Sequence, residues 1–195
     1  MAAAVWSPAD GFPVLRTART VLREITRADA SALFAFRSDP EEQRHNDSPL
    51  TEAGQAVDLV DRLARDHRER SALRWGLTLA GEDVVVGLLG FNSWDVHHGR
   101  ADVGYDLSRR LWGRGLAAEA MTAVLDFGFD RMALQRIEIW TESANVRSVR
   151  MAERLGFVRE GTLRGYVRAD DPPTAGGDGG TRHDVDVFGM LRSDR

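Results

Sequence analysis

The sequence predicts a mixed α/β fold, because apolar residues recur with a period of two in some segments and of about 3.6 in others. The predicted order is a strand, two helices, three strands, a helix, a strand, a helix and two strands. The portion 101–141 has the strand–helix–strand pattern of a crossover unit. Neither an internal repeat nor a change in composition divides the 195 residues. We therefore predict a single domain over 14–195, preceded by a flexible arm over 1–13.

The chain opens with one predicted strand and two predicted helices. Apolar and β-branched residues predict a short strand over 20–24. Thr26, with Asp29 three residues later, has the spacing of a capping box and predicts a helix that ends before Pro40. A second helix is predicted after Thr51, with apolar residues along one face and charged residues on the other.

Three strands are predicted next. Residues 73–80 alternate between apolar side chains and small or polar ones, as in a half-buried strand. Residues 84–91 are apolar on both faces, which is typical of a central strand covered on two sides. A loop is expected over 92–100, and it leads into a strand over 101–107.

Helices and strands alternate in the second half of the chain. Helices are predicted over 115–129 and 146–155, and Gly156 fits the left-handed position that follows a helix. The remaining strands are predicted over 136–141, 157–168 and 183–191. Prolines and glycines between the last two strands predict a mobile surface loop over 170–182.

Composition excludes several classes of protein. The net charge of −4, from 26 basic and 30 acidic residues, argues against general nucleic-acid binding. No stretch approaches the ~20 apolar residues of a membrane helix, and residues 1–8 lack the pattern of a signal peptide. The chain has no cysteine, which is compatible with a reducing compartment, and we predict a cytoplasmic protein. The five histidines lack metal-ligand spacing, so no metal site is expected.

The most informative stretch, 108–120, joins a predicted strand to a predicted helix. Gly113 and Gly115 remove side chains where the turn enters the helix, which exposes backbone N–H groups. The N-terminus of a helix is electropositive, and three nearby arginines add positive charge. This combination predicts a binding site for a phosphate or pyrophosphate.

A glycine-rich turn without a ligand is the plain alternative to that prediction. Two nucleotide motifs are excluded, because no Gly-Lys-Ser/Thr follows and the third glycine of the dinucleotide fingerprint is missing. The pattern Arg110-x-x-Gly113-x-Gly115 instead resembles the acyl-CoA pyrophosphate loop of the GNAT superfamily of N-acetyltransferases.

A second constellation resembles the RimJ/RimL-like branch of the same superfamily. Asn145-x-x-Ser148 precedes Leu-Gly-Phe at 155–157 and Glu-Gly at 160–161, in the order that this branch carries them. This constellation also stands at the expected separation from the stretch Arg110 to Gly115, called the glycine turn below. The two constellations together identify the chain as a member of the branch.

Two further motifs are similar to that branch. The strand at 102–107 reads Asp-Val-Gly-Tyr-x-Leu, where the branch usually has glutamate at the first position. His-Asp-Val at 183–185 is also familiar from its last strand. The resemblance therefore spans about 14–192.

The resemblance implies a mostly antiparallel central sheet with helices on both faces. This sheet would be splayed open between the strand that ends at Leu107 and the strand at 136–141, with acetyl-CoA bound in the gap as co-substrate. The residues implied in binding it are Leu107, Arg110, Leu111, Trp112, Gly113, Arg114, Gly115, Leu116, Ala117, Asn145 and Ser148. Asn145 also has a plain alternative role as a helix cap.

Acetyl transfer to an amine requires a base for the amine, a polarised carbonyl and a proton for the departing thiolate. Ser148, with Tyr105 as second choice, is the predicted proton donor to the sulfur. Asp102 is the first candidate for the base, because it lies on the strand beside the gap. The alternatives to it are Glu138, Glu142 and an ordered water. Some members of the branch have a carboxylate where this chain has Val167, so that acid–base pair is not expected.

The acceptor is predicted to be a primary amine, either of a protein N-terminus or of a small molecule. Its site is expected between the loops after residues 37 and 91, with Trp75, Phe91 and Trp94 as walls or, alternatively, as core residues. The leading hypothesis is an N-acetyltransferase that transfers the acetyl group directly in a ternary complex. An acyl-CoA sensor without activity and a nucleotide-phosphate enzyme are the alternatives, and the oligomeric state is open between monomer and homodimer.

Overall fold

The computed structural model describes residues 6–46, 48–168 and 181–195, and in this part of the chain eight strands form one sheet. The strands are Leu15–Arg16 (β1), Thr20–Arg23 (β2), Leu73–Leu79 (β3), Gly87–Asp95 (β4), Arg100–Leu107 (β5), Arg136–Glu142 (β6), Val158–Arg168 (β7) and Arg182–Leu191 (β8). The helices are Ala30–Arg37 (α1), Pro40–Gln43 (α2), Ala53–Glu69 (α3), Leu116–Asp130 (α4) and Val146–Arg154 (α5). The strand order is β1-β2-β3-β4-β5-β6-β8-β7.

Neighbouring strands are antiparallel except β5 and β6, which are parallel. Three residue pairs join β5 to β6, and the last of them is Asp102 with Glu138. Beyond that pair, β5 continues to Leu107 and β6 to Glu142 without further pairing to each other. The predicted mostly antiparallel sheet, splayed in the middle, is therefore confirmed.

Helices cover both faces of the sheet, as predicted. Leu89 of β4 belongs to the core cluster that includes α4, and its neighbour Leu88 belongs to the cluster shared by α1 and α3. Successive side chains of a strand point to opposite faces, so the two clusters lie on opposite sides of the sheet. The crossover helix α4 thereby places its first turn beside the end of β5.

The bounds of β4 differ from the prediction. The strand expected over 84–91 runs over Gly87–Asp95 and so includes the first part of the expected loop. The pairing with β5 shifts register between Phe91 and Ser93, which indicates a β-bulge. A bulge interrupts the alternation of burial along a strand, and its exposed polar residues then resemble a loop in the sequence.

The flexible arm predicted over 1–13 is wrong for its described part, which begins at residue 6. Trp6 is 3% exposed and packs into the main core. Its ring stacks with those of His67 and Trp94, at centroid distances of 5.7 and 6.0 Å. Burial of one aromatic side chain stabilises a fold by on the order of 2–3 kcal/mol, which is enough to anchor a short segment.

His67 makes this anchor sensitive to acid. Its ring is buried, and its Nε2 has no hydrogen-bond partner among the described residues. Burial lowers the pKa of His67 below the usual 6.5, with Glu24 opposing the shift and Arg68 reinforcing it. Below a pH of about 6.5 the unfolded chain therefore takes up this proton more readily than the folded protein, and stability falls.

We expect the melting temperature to fall as the pH is lowered from about 7.5 to about 5.5, and His67→Phe to flatten that fall. Each kcal/mol of stability corresponds to about 2–4 °C in a domain of this size. Thermal melts over this range, with His97→Phe at an exposed position as the matched control, measure the difference. An equal slope in the wild type and in His67→Phe would assign the acid sensitivity to other groups.

The mobile loop predicted over 170–182 lies outside the described residues up to position 180. Strand β8 begins at Arg182, at the end of the predicted loop.

Candidate active site

A cleft of about 800 Å³ occupies the gap between the diverging ends of β5 and β6. One wall consists of β5, the turn that follows it and the first turn of α4. The end of β6 and helix α5 form the opposite wall, and the segment 41–46 forms a third side. One cavity therefore joins the two constellations that the sequence singles out.

The glycine turn forms the α4 side of the cleft. Gly113 and Gly115 both have φ of +75°, in the left-handed region that glycine adopts without steric cost. A Cβ added at Gly113 would meet no atom within 4 Å, so the space above the turn is open. Helix α4 begins at Leu116 beside the cleft, and the first N–H groups of a helix lack partners within the helix. The turn thus offers the open, electropositive backbone that an anion requires.

Neither of the two predicted arginine contacts lines the cleft. Arg110 and Arg114 are exposed and lie outside its walls. The Arg114 carbonyl accepts a hydrogen bond from Arg19 Nη1 at 2.9 Å. Arg19 also pairs with Glu119 in the first turn of α4, at 2.6 Å. The glycine turn is therefore braced by an arginine from the start of the chain, which the local motif does not reveal.

Trp112 connects the glycine turn to both walls of the cleft. Its Nε1 donates a hydrogen bond to the Leu107 carbonyl at 2.6 Å. The guanidinium carbon of Arg147, on α5, lies 4.7 Å from the centroid of the Trp112 ring. This cation–π contact spans the cleft. The Leu107 carbonyl, for its part, already accepts a hydrogen bond from a side chain of the protein.

Tyr105 and Ser148 bring β5 and α5 together in the cleft. Ser148 is 5% exposed, and its backbone N–H donates to Asn145 Oδ1 at 3.2 Å, so Asn145 caps α5. Burial raises the pKa of Tyr105 above 10, although a side-chain hydrogen bond with Ser148 and the charge of Arg147 oppose the rise. Tyr105 therefore keeps its proton at neutral pH, as a proton donor must.

The structure does not bring Asp102 into the cleft. Asp102 lies in the part of β5 that still pairs with β6. Its carboxylate accepts a hydrogen bond from Asn92 Nδ2 at 3.0 Å and another from the Ser93 hydroxyl. Alternation along β5 places Asp102 on the sheet face opposite to Tyr105. The position on the strand was predictable, but the direction of the side chain depends on the register.

Glu138, an alternative for the base, is also engaged elsewhere. It pairs with Arg136 at 2.7 Å and accepts a hydrogen bond from Trp140 Nε1 at 2.9 Å. Burial acts to raise the pKa of Glu138, but these two hydrogen bonds outweigh it and lower the pKa. Glu138 therefore orients Trp140, which lines the cleft and is 44% exposed.

The segment 41–46 is a wall that the sequence indicated only as a loop after residue 37. Glu42 accepts a hydrogen bond from the Arg109 backbone N–H at 2.6 Å, which ties this segment to the glycine turn. Asn46 donates to Asp106 of β5 at 2.6 Å. These partners lie more than 50 residues away along the chain, so no local pattern could reveal them.

The aromatic residues considered as acceptor walls are core residues instead. Trp75, Phe91 and Trp94 are each at most 7% exposed, and none lines the cleft. Trp140, by contrast, lines the cleft together with Tyr105 and Trp112, and its ring packs against Tyr166 of β7 at a centroid distance of 5.7 Å.

Two kinds of feature are missing from residues 6–46, 48–168 and 181–195. No group of three or more His, Asp or Glu side chains in these ranges could hold a metal ion. None of the helices in them is long and apolar enough to cross a membrane.

Comparison with known proteins gives a consistent result. The acetyltransferase (GNAT) domain family matches residues 19–158. The uncharacterized N-acetyltransferase p20 of Bacillus licheniformis is 36% identical over 179 residues, which cover 91% of this chain and 96% of that protein. The ribosomal protein uS5-alanine N-acetyltransferase of Escherichia coli K12 is 27% identical over 165 residues, covering 80% of this chain and 84% of that enzyme.

A likeness to solved structures supports the same fold. The ribosomal L7/L12 alpha-N-protein acetyltransferase RimL, in complex with coenzyme A, matches with a TM-score of 0.81 at 20% identity. The match covers 92% of this chain and 98% of that one. The family match over residues 19–158 and the 36% identity to p20 show that the chain belongs to the GNAT acetyltransferases.

Proposed function

We propose that this N-acetyltransferase moves the acetyl group of acetyl-CoA directly to a primary amine within a ternary complex. The observation that carries the proposal is the shared cleft, where the glycine turn and the Tyr105–Ser148 pair face one cavity of about 800 Å³. A ligand with a pyrophosphate in its middle and a thioester at its end fits both features.

Acetyl-CoA would bind by backbone more than by side-chain charge. Its pyrophosphate lies at the glycine turn, on the N–H groups at the start of α4. Its pantetheine arm enters the gap, where the unpaired edges of β5 and β6 offer backbone hydrogen bonds. The predicted cofactor residues that line the cleft are Leu107, Leu111, Trp112, Gly113, Gly115, Leu116, Ala117, Asn145 and Ser148.

Tyr105 supplies the proton for the thiolate that leaves. Its raised pKa keeps the hydroxyl protonated, and both Tyr105 and Ser148 line the cleft. The neutral amine attacks the thioester carbonyl, and the carbon–sulfur bond then breaks. Positioning the two substrates against each other supplies much of the rate enhancement, on the order of several kcal/mol.

The acceptor that we favour is the amino terminus of a polypeptide. The Escherichia coli relative is a ribosomal protein uS5-alanine N-acetyltransferase, and RimL is an alpha-N-protein acetyltransferase. The exposed ring of Trp140 and the segment 41–46 bound the cleft on the side where such a chain would enter. A small primary amine is the second class of acceptor.

The test is an acetylation assay with two panels of acceptors. The full chain is incubated with acetyl-CoA and either short peptides with free N-termini or small primary amines, and release of coenzyme A and the mass of the product are measured. We expect acetylated peptides. When both substrates are varied, double-reciprocal plots of the initial rate should give intersecting lines, as a ternary complex requires. Binding of acetyl-CoA without any acetylated amine would favour the sensor, and an acetylated protein intermediate would contradict direct transfer.

A further inference from the structure

One carboxylate oxygen at the end of β6 is shared by two histidines. His45 Nδ1 lies 2.8 Å from Glu142 Oε2, and His183 Nδ1 lies 3.1 Å from the same atom. The three residues come from three separate segments of the chain, the 41–46 segment, β6 and β8. The function proposed above does not use them.

The strand register places this cluster at the cleft. Glu142 is opposite Val185 of β8, so His183, two residues before Val185, is its diagonal neighbour on the same face. Alternation along β6 puts Glu142 on the same face as Trp140, which lines the cleft. Of the three members, His45 lines the cleft, whereas Glu142 lies behind it with 13% of its side chain exposed.

The backbone that carries His45 is fixed on its far side. The next residue, Asn46, donates from its side chain to Asp106 at 2.6 Å and from its backbone N–H to the Gln43 carbonyl at 2.9 Å. Asp106 is itself buried and pairs with Arg37 at 3.0 Å. The imidazole of His45 is thus held between β5, through Asn46, and β6, through Glu142.

The hydrogen bonds decide which nitrogen of His45 can act as a base. An ionised carboxylate only accepts hydrogen bonds, so the Nδ1 atom facing it carries the proton. In the neutral ring the lone pair is then on Nε2. The carboxylate also stabilises the positive charge that forms when Nε2 takes up a proton, as an acidic partner does for a catalytic histidine.

We infer that His45 Nε2 accepts the proton of the attacking amine, and that Glu142 is the positioning residue that orients it. The inference rests on the proposed function, since it completes the same reaction. The amine nitrogen forms a bond to the carbonyl carbon and gives a proton to His45, while the carbon–sulfur bond breaks and the thiolate takes a proton from Tyr105. Solvent then carries the proton from His45 to the tyrosinate, which leaves an acetylated amine and coenzyme A.

The surroundings of the cleft leave this role open to His45. Asp102 is hydrogen-bonded to Asn92 and Ser93 and does not line the cleft, and Val167 cannot titrate. Glu142 and His183 are the titratable groups that contact His45 or its partner. The charged side chains that line the same cleft are Glu41, Glu42, Arg44, Arg147, Arg150 and Arg154.

The test compares His45→Gln with His183→Gln in single-turnover reactions of the full chain. Both histidines contact the same oxygen, but His183 does not line the cleft, so its variant is the matched control. With acetyl-CoA and a peptide that the wild type acetylates, His45→Gln should lower the rate near pH 7 by about 10²–10⁴-fold. The deficit should shrink toward a pH of about 9.5, where hydroxide from the solvent can take the proton that His45 no longer accepts. Acetyl-CoA affinity should stay within about twofold.

The role of Glu142 is tested by the tautomer of His45, which would not change if Glu142 were needed only for the fold. The nitrogen chemical shifts of His45 should report the Nδ1–H tautomer in the wild type and a mixture in Glu142→Gln, with or without a substrate. A wild-type rate in His45→Gln, an equal loss in both histidine variants, or an Nε2–H tautomer would each overturn the inference alone. A wild type that binds acetyl-CoA but acetylates no amine would overturn the proposed function and this inference with it.

Discussion

Gly113→Glu is expected to abolish acetyl-CoA binding while the protein remains folded. The open space above Gly113 lets a side chain fit, since no atom lies within 4 Å of an added Cβ. The new carboxylate would lie where the pyrophosphate charge must lie, over the same N–H groups. Calorimetric titration with acetyl-CoA should show a loss of more than about 100-fold, which corresponds to ~2.7 kcal/mol.

Two controls separate charge from strain in that experiment. Gly113→Ala carries only the cost of a side chain at positive φ, roughly 1–2 kcal/mol of stability. Gly81→Glu places the same charge at φ of +85° in an exposed turn, also without an atom within 4 Å. We expect acetyl-CoA affinity near the wild-type value in Gly81→Glu and a modest decrease in Gly113→Ala. A folded Gly113→Glu with wild-type affinity would refute the assignment of the pyrophosphate site.

Tyr105→Phe is expected to lower kcat and kcat/KM together, by about 10²–10⁴-fold, with acetyl-CoA affinity unchanged. A proton given to the thiolate stabilises the transition state and not the bound substrate, so both constants should fall equally. Ser148→Ala should show a smaller loss in the same direction, because it removes the partner of the Tyr105 hydroxyl. Steady-state kinetics with an accepted amine measure both.

The chain offers a matched control for the hydroxyl. Its second tyrosine, Tyr166, is 56% exposed and packs against Trp140, so Tyr166→Phe removes a hydroxyl without touching the Tyr105–Ser148 pair. We expect wild-type kcat in this variant. A Tyr105→Phe enzyme as fast as Tyr166→Phe would leave solvent as the proton donor, and weaker acetyl-CoA binding in Ser148→Ala would make Ser148 a binding contact.

The glycine turn was predictable because its chemistry is local. Positive φ at Gly113 and Gly115 and the start of α4 are properties of adjacent residues, and the motif records them directly. The same holds for Asn145, whose side chain caps the helix that follows it. Periodicity likewise identified the crossover through α4, because apolar spacing is a property of each segment.

Contacts between distant segments could not be predicted in this way. Asp102 was on the expected strand, but the register of β5 turns its side chain away from Tyr105. His45 stands in a polar stretch that has no pattern of its own, and its partner Glu142 is 97 residues away. No local pattern predicts the burial of Trp6, because the pocket that receives it is made by His67, Trp94 and Phe127, from three other parts of the chain.

The short seam between β5 and β6 divides the sheet into two blocks that meet at a narrow joint. At one end of the joint, the Gly99 carbonyl accepts hydrogen bonds from the backbone N–H groups of Gln135 and Arg136, at 2.6 and 3.3 Å. The segment of His45 is fastened to the first block through Asp106, and Glu142 belongs to the second block. A cofactor that bridges the unpaired edges of β5 and β6 would hold the two blocks at one angle. It would thereby keep His45 in contact with Glu142. Binding of acetyl-CoA would then be coupled, through the short pairing of β5 with β6, to the arrangement in which Glu142 orients His45 to accept a proton.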